Sequence, residues 1–122
     1  MSDKKPRQDL RLRTKKFALR IITMCESLPD SRAGRILGDQ IFRSGTSVAA
    51  NYREAYRARS RAEFISKLGD CRKELEETML WLELLGDSDT VKPTKLSLLL
   101  QEADELMAIF SAIIKNSKGR DS

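Results

Sequence analysis

The 122-residue chain carries 23 Lys and Arg against 18 Asp and Glu, with no histidine, two cysteines, three prolines and six glycines. Its length suits one domain with a core of its own. The lack of histidine excludes imidazole acid–base catalysis, Ser-His and Cys-His nucleophile pairs, most zinc sites and the Glu-x-x-His sets of di-iron bundles. Charge is uneven: residues 1–61 hold 15 basic and 6 acidic side chains, residues 62–122 hold 8 and 12. One half is therefore basic and the other acidic, a polarity that suits nucleic acid, acidic lipid or head-to-tail contacts between copies.

Residues 1–8, MSDKKPRQ, read as a flexible basic arm. A bundle domain is predicted over 9–116, followed by a polar tail over 117–122. Helix 1 shows a seam of Leu10, Thr14, Phe17, Ile21, Met24 and Leu28. Pro29 disfavours helical geometry before it, and Asp30 or Ser31 can cap the next helix. The arm and the outer face of helix 1 supply one group of candidate phosphate contacts: Lys4, Lys5, Arg7, Arg11, Arg13, Lys15 and Lys16.

Helix 2 is predicted from about Arg32 to Arg57 or Arg59, with a seam of Leu37, Ile41, Ser44, Val48, Asn51, Ala55 and Ala58. That seam is small and polar, with Gly38, Gly45, Ala49 and Ala50 beside it. Small side chains admit a second helix closely, and a polar seam residue can fix register or oligomer state at some cost in stability. Arg53, Arg57, Arg59 and Arg61 crowd the following corner with Tyr52 and Tyr56 among them. Arginine with tyrosine is a combination that binds phosphate and stacks on unpaired bases; the plainer alternative is a solvated charged face.

Ser60-Arg61-Ala62-Glu63 before Phe64 is a capping-box pattern opening helix 3. The helix carries Phe64, Leu68, Cys71, Leu75, Thr78, Leu82 and Leu85 in alternating steps of four and three. Gly86 stands where a left-handed cap would end it. Trp81, Leu80 and Leu84 add a second apolar stripe, which favours contact with another subunit. Glu74 and Glu77, with Glu54 and Glu63 near in sequence, form the densest acidic cluster. Carboxylates alone suit Mg²⁺ or Mn²⁺, but pairing with Arg43, Lys73 or the Asn51 amide across the helices accounts for them without a metal. Arg43, Ser44, Asn51, Glu74 and Glu77 are thus expected to form a structural polar seam.

Asp87–Thr94 is predicted as a loop, and helix 4 shows Leu96, Leu99, Ala103, Leu106, Phe110 and Ile113 on its seam. Nothing in the sequence reads as strand. Cys25 and Cys71 fall on apolar stripes and read as free thiols of a reducing cytoplasm. No secretory pattern or span of about 20 apolar residues occurs, so no membrane partner is expected. The expected fold is all-α, an antiparallel up-down-up-down four-helix bundle joined by short connections.

Between Gln40 and Leu85 the residues also carry a resemblance. Gln40, Arg43-Ser44, Ser47-Val48, Asn51, Glu54, Arg59-Ser60, Glu63-Phe64, Leu68, Lys73-Glu74, Glu77-Thr78 and Trp81 to Leu85, in that order and spacing, are similar to the bacterial four helix bundle proteins related to the protein encoded in intervening sequences of 23S rRNA genes. The match is dense only there and extends in pattern from Leu10 to Ile114. One departure is Ala55, where the family pattern places glycine; this extends the expected end of helix 2 toward Arg59. The resemblance implies a short bundle assembling into a ring, often of five copies, with no enzymatic activity and no cofactor. The expected function is therefore a non-enzymatic homo-oligomer that associates with structured RNA or DNA through its basic half. The alternative is a structural or adaptor oligomer whose partners are proteins.

Overall fold

The structure, a computed structural model, describes residues 4–119, with side chains over 10–119. Four helices follow one another: α1 (Lys4–Glu26), α2 (Arg32–Tyr56), α3 (Arg61–Asp87) and α4 (Pro93–Gly119). Short connections make each antiparallel to the next, and no strand occurs among the described residues. This is the expected four-helix bundle. Contacts are most extensive between α2 and α3, substantial between α1 and α2 and between α3 and α4, and sparse between α1 and α4.

All seven seam residues predicted for α3 are buried, from Phe64 to Leu85. On α1 the buried set is Leu10, Thr14, Phe17 and Ile21, with Met24 and Leu28 half-buried. The Thr14 hydroxyl is satisfied by donating to the Leu10 carbonyl at 2.7 Å. On α4 the predicted seam holds as far as Phe110, where Ile114 replaces Ile113 as the buried residue.

The seam of α2 differs from expectation. Its buried stripe is Gly34, Gly38, Ile41, Gly45, Val48, Tyr52 and Ala55, again in steps of four and three, with Ser44 beside it. Leu37, Asn51 and Ala58 are half-buried flanks. Glycines occupy the stripe because α1 packs directly on the α2 backbone. A Cβ on Gly45 would lie 2.8 Å from Cγ1 and 2.9 Å from Cγ2 of Ile21, and one on Gly34 would stand on the Pro29 carbonyl oxygen. The missing side chains are the space that α1 fills.

Four boundaries also move. α1 begins at Lys4, inside the stretch 1–8 expected as an arm; Pro6 falls in its first turn, where a missing N–H breaks no helical bond. The rest of that arm, residues 1–3, and the end of the tail, 120–122, lie outside the described residues, while α4 continues to Gly119. α2 stops at Tyr56 with Arg57 as its cap, at the shorter of the two expected ends and not near Arg59. The Arg57 N–H turns back to the Ala55 and Arg53 carbonyls, Ala58 N–H donates to Ala55 at 3.0 Å, and Ser60 is already extended. Ser60 Oγ accepts the Glu63 N–H at 3.0 Å, and the Glu63 carboxylate takes the Arg59 N–H at 3.2 Å. The cap of α3 thereby claims the residues into which α2 would have extended.

α3, in turn, runs through Gly86, which has no left-handed geometry; the positive φ belongs to Asp89 at 60°. Asp is among the residues that tolerate that conformation. The Thr90 and Val91 N–H groups donate back to the Leu85 carbonyl at 3.0 and 3.2 Å. Gly86 is buried next to Leu96 and Pro93 at the start of α4.

Candidate nucleic-acid interface

The predicted basic residues differ in the partners they hold. Arg13 is committed. Its guanidinium donates to Glu102 through Nε at 2.7 Å and Nη2 at 2.8 Å, and to Glu105 at 2.8 Å, clasping α1 to α4. These bonds raise its pKa and hold the Glu102 carboxyl below its ordinary range, chiefly through the Arg13 hydrogen bond. Arg11 is half-buried, with its guanidinium 4.7 Å from the centre of the Tyr56 ring. Such a contact leaves N–H groups at the guanidinium edge for another acceptor. The side chains of Lys4, Lys5 and Arg7 lie outside those described.

Lys15, Lys16, Arg53, Arg57, Arg59 and Arg61 are exposed. Lys15 of α1 and Arg53 of α2 line one shallow groove of about 220 Å³ whose floor is Ala18, Leu19, Ala49 and Ala50. The packing of α1 on α2 thus brings one member of each basic group, Lys15 and Arg53, onto one surface. A second hollow, about 330 Å³, lies around the corner and is lined by Tyr56, Arg59, Ser60, Arg61 and Phe64, with Ser117 of α4. Tyr56, shared between Arg11 and this hollow, is exposed. An acidic group stands close by: Glu54 precedes the corner but pairs with Lys67 of α3 at 2.6 Å, which raises the lysine pKa.

Tyr52 does not serve this surface. It is buried, 5.9 Å from the Phe110 ring and 6.4 Å from Tyr56. The four-three spacing from Val48 to Tyr52 to Ala55 carries the signal of its burial, beside polar neighbours that suggest exposure. The Arg11–Tyr56 contact, between residues far apart in the chain, has no signal in the sequence.

The predicted polar seam is partly one network. Arg43 reaches across from α2 to α3, 2.8 Å from Glu77 and 3.4 Å from Glu74. Ser44 and Thr78 meet within the core at 2.7 Å, and Thr78 also donates to the Glu74 carbonyl at 2.7 Å. Asn51 stays half-buried on the flank, outside this network. Trp81, one turn beyond Glu77, is half-buried with its indole N–H enclosed and without a partner. Among the described residues, no group of three or more Cys, Asp or Glu side chains is placed to hold a metal ion, and no helix is long and apolar enough to cross a membrane. Both cysteines are free thiols; burial pushes Cys71 up to about 12 and Cys25 up to about 11, with nearby carboxylates adding to the rise.

Comparison with solved structures places the chain beside a Bacteroides thetaiotaomicron protein of unknown function from the S23 ribosomal protein family. The two are 35% identical with a TM-score of 0.83, covering 89% of this chain and 97% of the other. No curated protein matches the chain. The 23S rRNA-intervening sequence protein family model matches residues 8–112, nearly the whole bundle, and the chain belongs to that family.

Proposed function

We propose that the chain is a non-enzymatic, cytoplasmic homo-oligomer, of five copies as the family resemblance implies, that associates with structured RNA or DNA. The observation that carries the nucleic-acid reading is the groove shared by Lys15 and Arg53, with Arg11, Tyr56, Arg57 and Arg59 around the same end of the bundle. Exposed cations on a helical frame suit phosphate, and the Tyr56 face suits an unpaired base. Phosphate contacts and stacking carry no sequence information, so recognition on this reading is by shape and charge. The family is named for intervening sequences of 23S rRNA, which makes a folded rRNA stem the first probe. Repetition of a weak patch in an oligomer raises avidity without new contacts.

The test is fluorescence anisotropy with a labelled rRNA stem-loop and a DNA hairpin over a salt series. Log affinity should fall linearly with log salt, by about 0.7–0.9 for each phosphate contacted. A Lys15→Gln, Arg53→Gln, Arg57→Gln variant should reduce that slope by roughly 2–3 per engaged subunit while the assembly stays intact. Absence of binding at about 50 mM salt, where counterion release favours it most, would overturn this reading in favour of a protein-binding adaptor.

A further inference from the structure

Next to the Lys15–Arg53 groove, with which it shares Leu19, and toward the end of the bundle away from the Arg57–Arg61 corner, the sparse contact between α1 and α4 leaves an open apolar groove of about 770 Å³. Its walls include Leu19, Leu28, Val91, Leu98 and Leu99, and Arg20, Lys92 and Lys95 stand at its rim. Leu19 is 53% exposed and Leu98 67%. On the outer face of α3 lies a patch of opposite sign: Leu80 and Leu84 are exposed, with Glu76, Glu83 and Asp87 beside them at helical spacing. None of these six charged side chains has a salt-bridge partner among the described residues, although Arg20 contributes to the field on Glu102.

From this complementarity we infer that the α3 patch of one copy docks in the α1–α4 groove of the next. Leu80 and Leu84 lie on the apolar walls, and Glu76, Glu83 and Asp87 face the Arg20, Lys92 and Lys95 rim. The inference rests on the homo-oligomer part of the reading above; its groove shares Leu19 with the Lys15–Arg53 groove, and its test reads assembly alone. Two geometric facts support a second copy as the occupant. The patches are distinct surfaces of one chain, so each copy offers both halves of a head-to-tail contact. They also lie at one height. Counted from the helix ends at Glu26, Asp87 and Pro93, Leu19, Leu80 and Leu98 sit about 8–11 Å from the same end of the bundle at 1.5 Å per residue. A head-to-tail contact without an axial step is compatible with a ring wherever the rotation between copies closes.

Paired blocked variants test this by light scattering and native mass spectrometry. Leu98→Asp blocks the groove and leaves the α3 patch intact; Leu80→Lys does the reverse. Both positions are exposed, so each chain should keep its helical circular dichroism. Each variant alone should be a monomer, and an equimolar mixture should form a 1:1 dimer and nothing larger. A wild-type mass of 13.9 kDa at micromolar concentration would end the homo-oligomer reading and this inference with it. A wild-type oligomer with either variant still assembled would leave oligomerisation standing and overturn the interface alone. Monomeric variants that fail to pair would show that the two patches do not meet. If either substitution impairs folding, Lys92→Glu with Lys95→Glu and Glu76→Lys with Glu83→Lys replace them. Each of those variants should be monomeric alone and should assemble with the other; persistent assembly alone, or failure to assemble together, overturns the interface.

Discussion

The hydroxyls of Ser44 and Thr78 lie 2.7 Å apart, fully buried between α2 and α3. Thr78 spends its proton on the Glu74 carbonyl, so Ser44 is the donor of the pair. The two substitutions are therefore unequal. Ser44→Ala leaves Thr78 satisfied and should cost about 1 kcal/mol, whereas Thr78→Val strands the Ser44 proton in the core and should cost about 2 kcal/mol. A double-mutant cycle by urea denaturation should return a coupling of about 1 kcal/mol. Additive losses would show that the hydroxyls do not interact.

Two helical glycines should respond with opposite signs. At Gly45 a methyl group would press on Ile21, so Gly45→Ala should destabilise by about 1–3 kcal/mol. Ile21→Ala in the same chain should cost less than the two losses summed, because the collision is shared. Gly69 on α3 has nothing within 4 Å of a built Cβ. Gly69→Ala should stabilise by about 0.5–1 kcal/mol through helix propensity alone. Thermal and urea midpoints of the three variants check both signs.

The Arg13–Glu102 clasp sets a pH dependence. The Glu102 carboxyl is held below its ordinary value of 4.5 in the folded chain. Its stabilisation is therefore complete above that value and is lost as pH falls through the lower, folded one. Glu102→Gln should cost about 1 kcal/mol at pH 7, and the gap to wild type should close as pH falls below 4.5. Urea midpoints measured over this range decide it; a gap that persists in acid would assign the cost to packing.

Burial of the thiols makes them poor nucleophiles. With Cys71 pushed up to about 12 and Cys25 to about 11, little thiolate exists at pH 8, and Cys71 is fully enclosed. Iodoacetamide should label Cys71 only as fast as the bundle opens, Cys25 slowly, and both rapidly in denaturant. Mass-spectrometric time courses separate the two sites. Native labelling of Cys71 at the denatured rate would contradict its enclosure.

How much of this was legible in the sequence follows side-chain size and chain distance. The α3 seam could be read residue by residue because large apolar groups mark every position from Phe64 to Leu85. The α2 seam was read only at Ile41, Ser44, Val48 and Ala55, because hydrophobicity favours Leu37 over Gly38 and Tyr52 stands among polar neighbours, while the rest of the stripe is set by the approach of α1. The basic residues of the candidate interface could be enumerated, but not their commitments. Arg13 is spent on Glu102 and Glu105 from the far end of the chain, and no local pattern announces such a pair. The joining of Lys15 to Arg53 likewise depends on how closely two helices lie.

The sparse meeting of α1 and α4 also bears on how the bundle opens. Most contacts join consecutive helices, a low-contact-order arrangement that folds fast. The α2–α3 hairpin, with the most extensive contact and the enclosed Ser44–Thr78 bond, can remain paired while an outer helix swings away. Amide exchange should then be graded, with the centres of α2 and α3 exchanging last and α1 earlier, once its Arg13 clasp releases. Wedged into the α1–α4 groove, a neighbouring copy would hold both outer helices, so assembly would slow exchange most in the elements that a lone chain releases first.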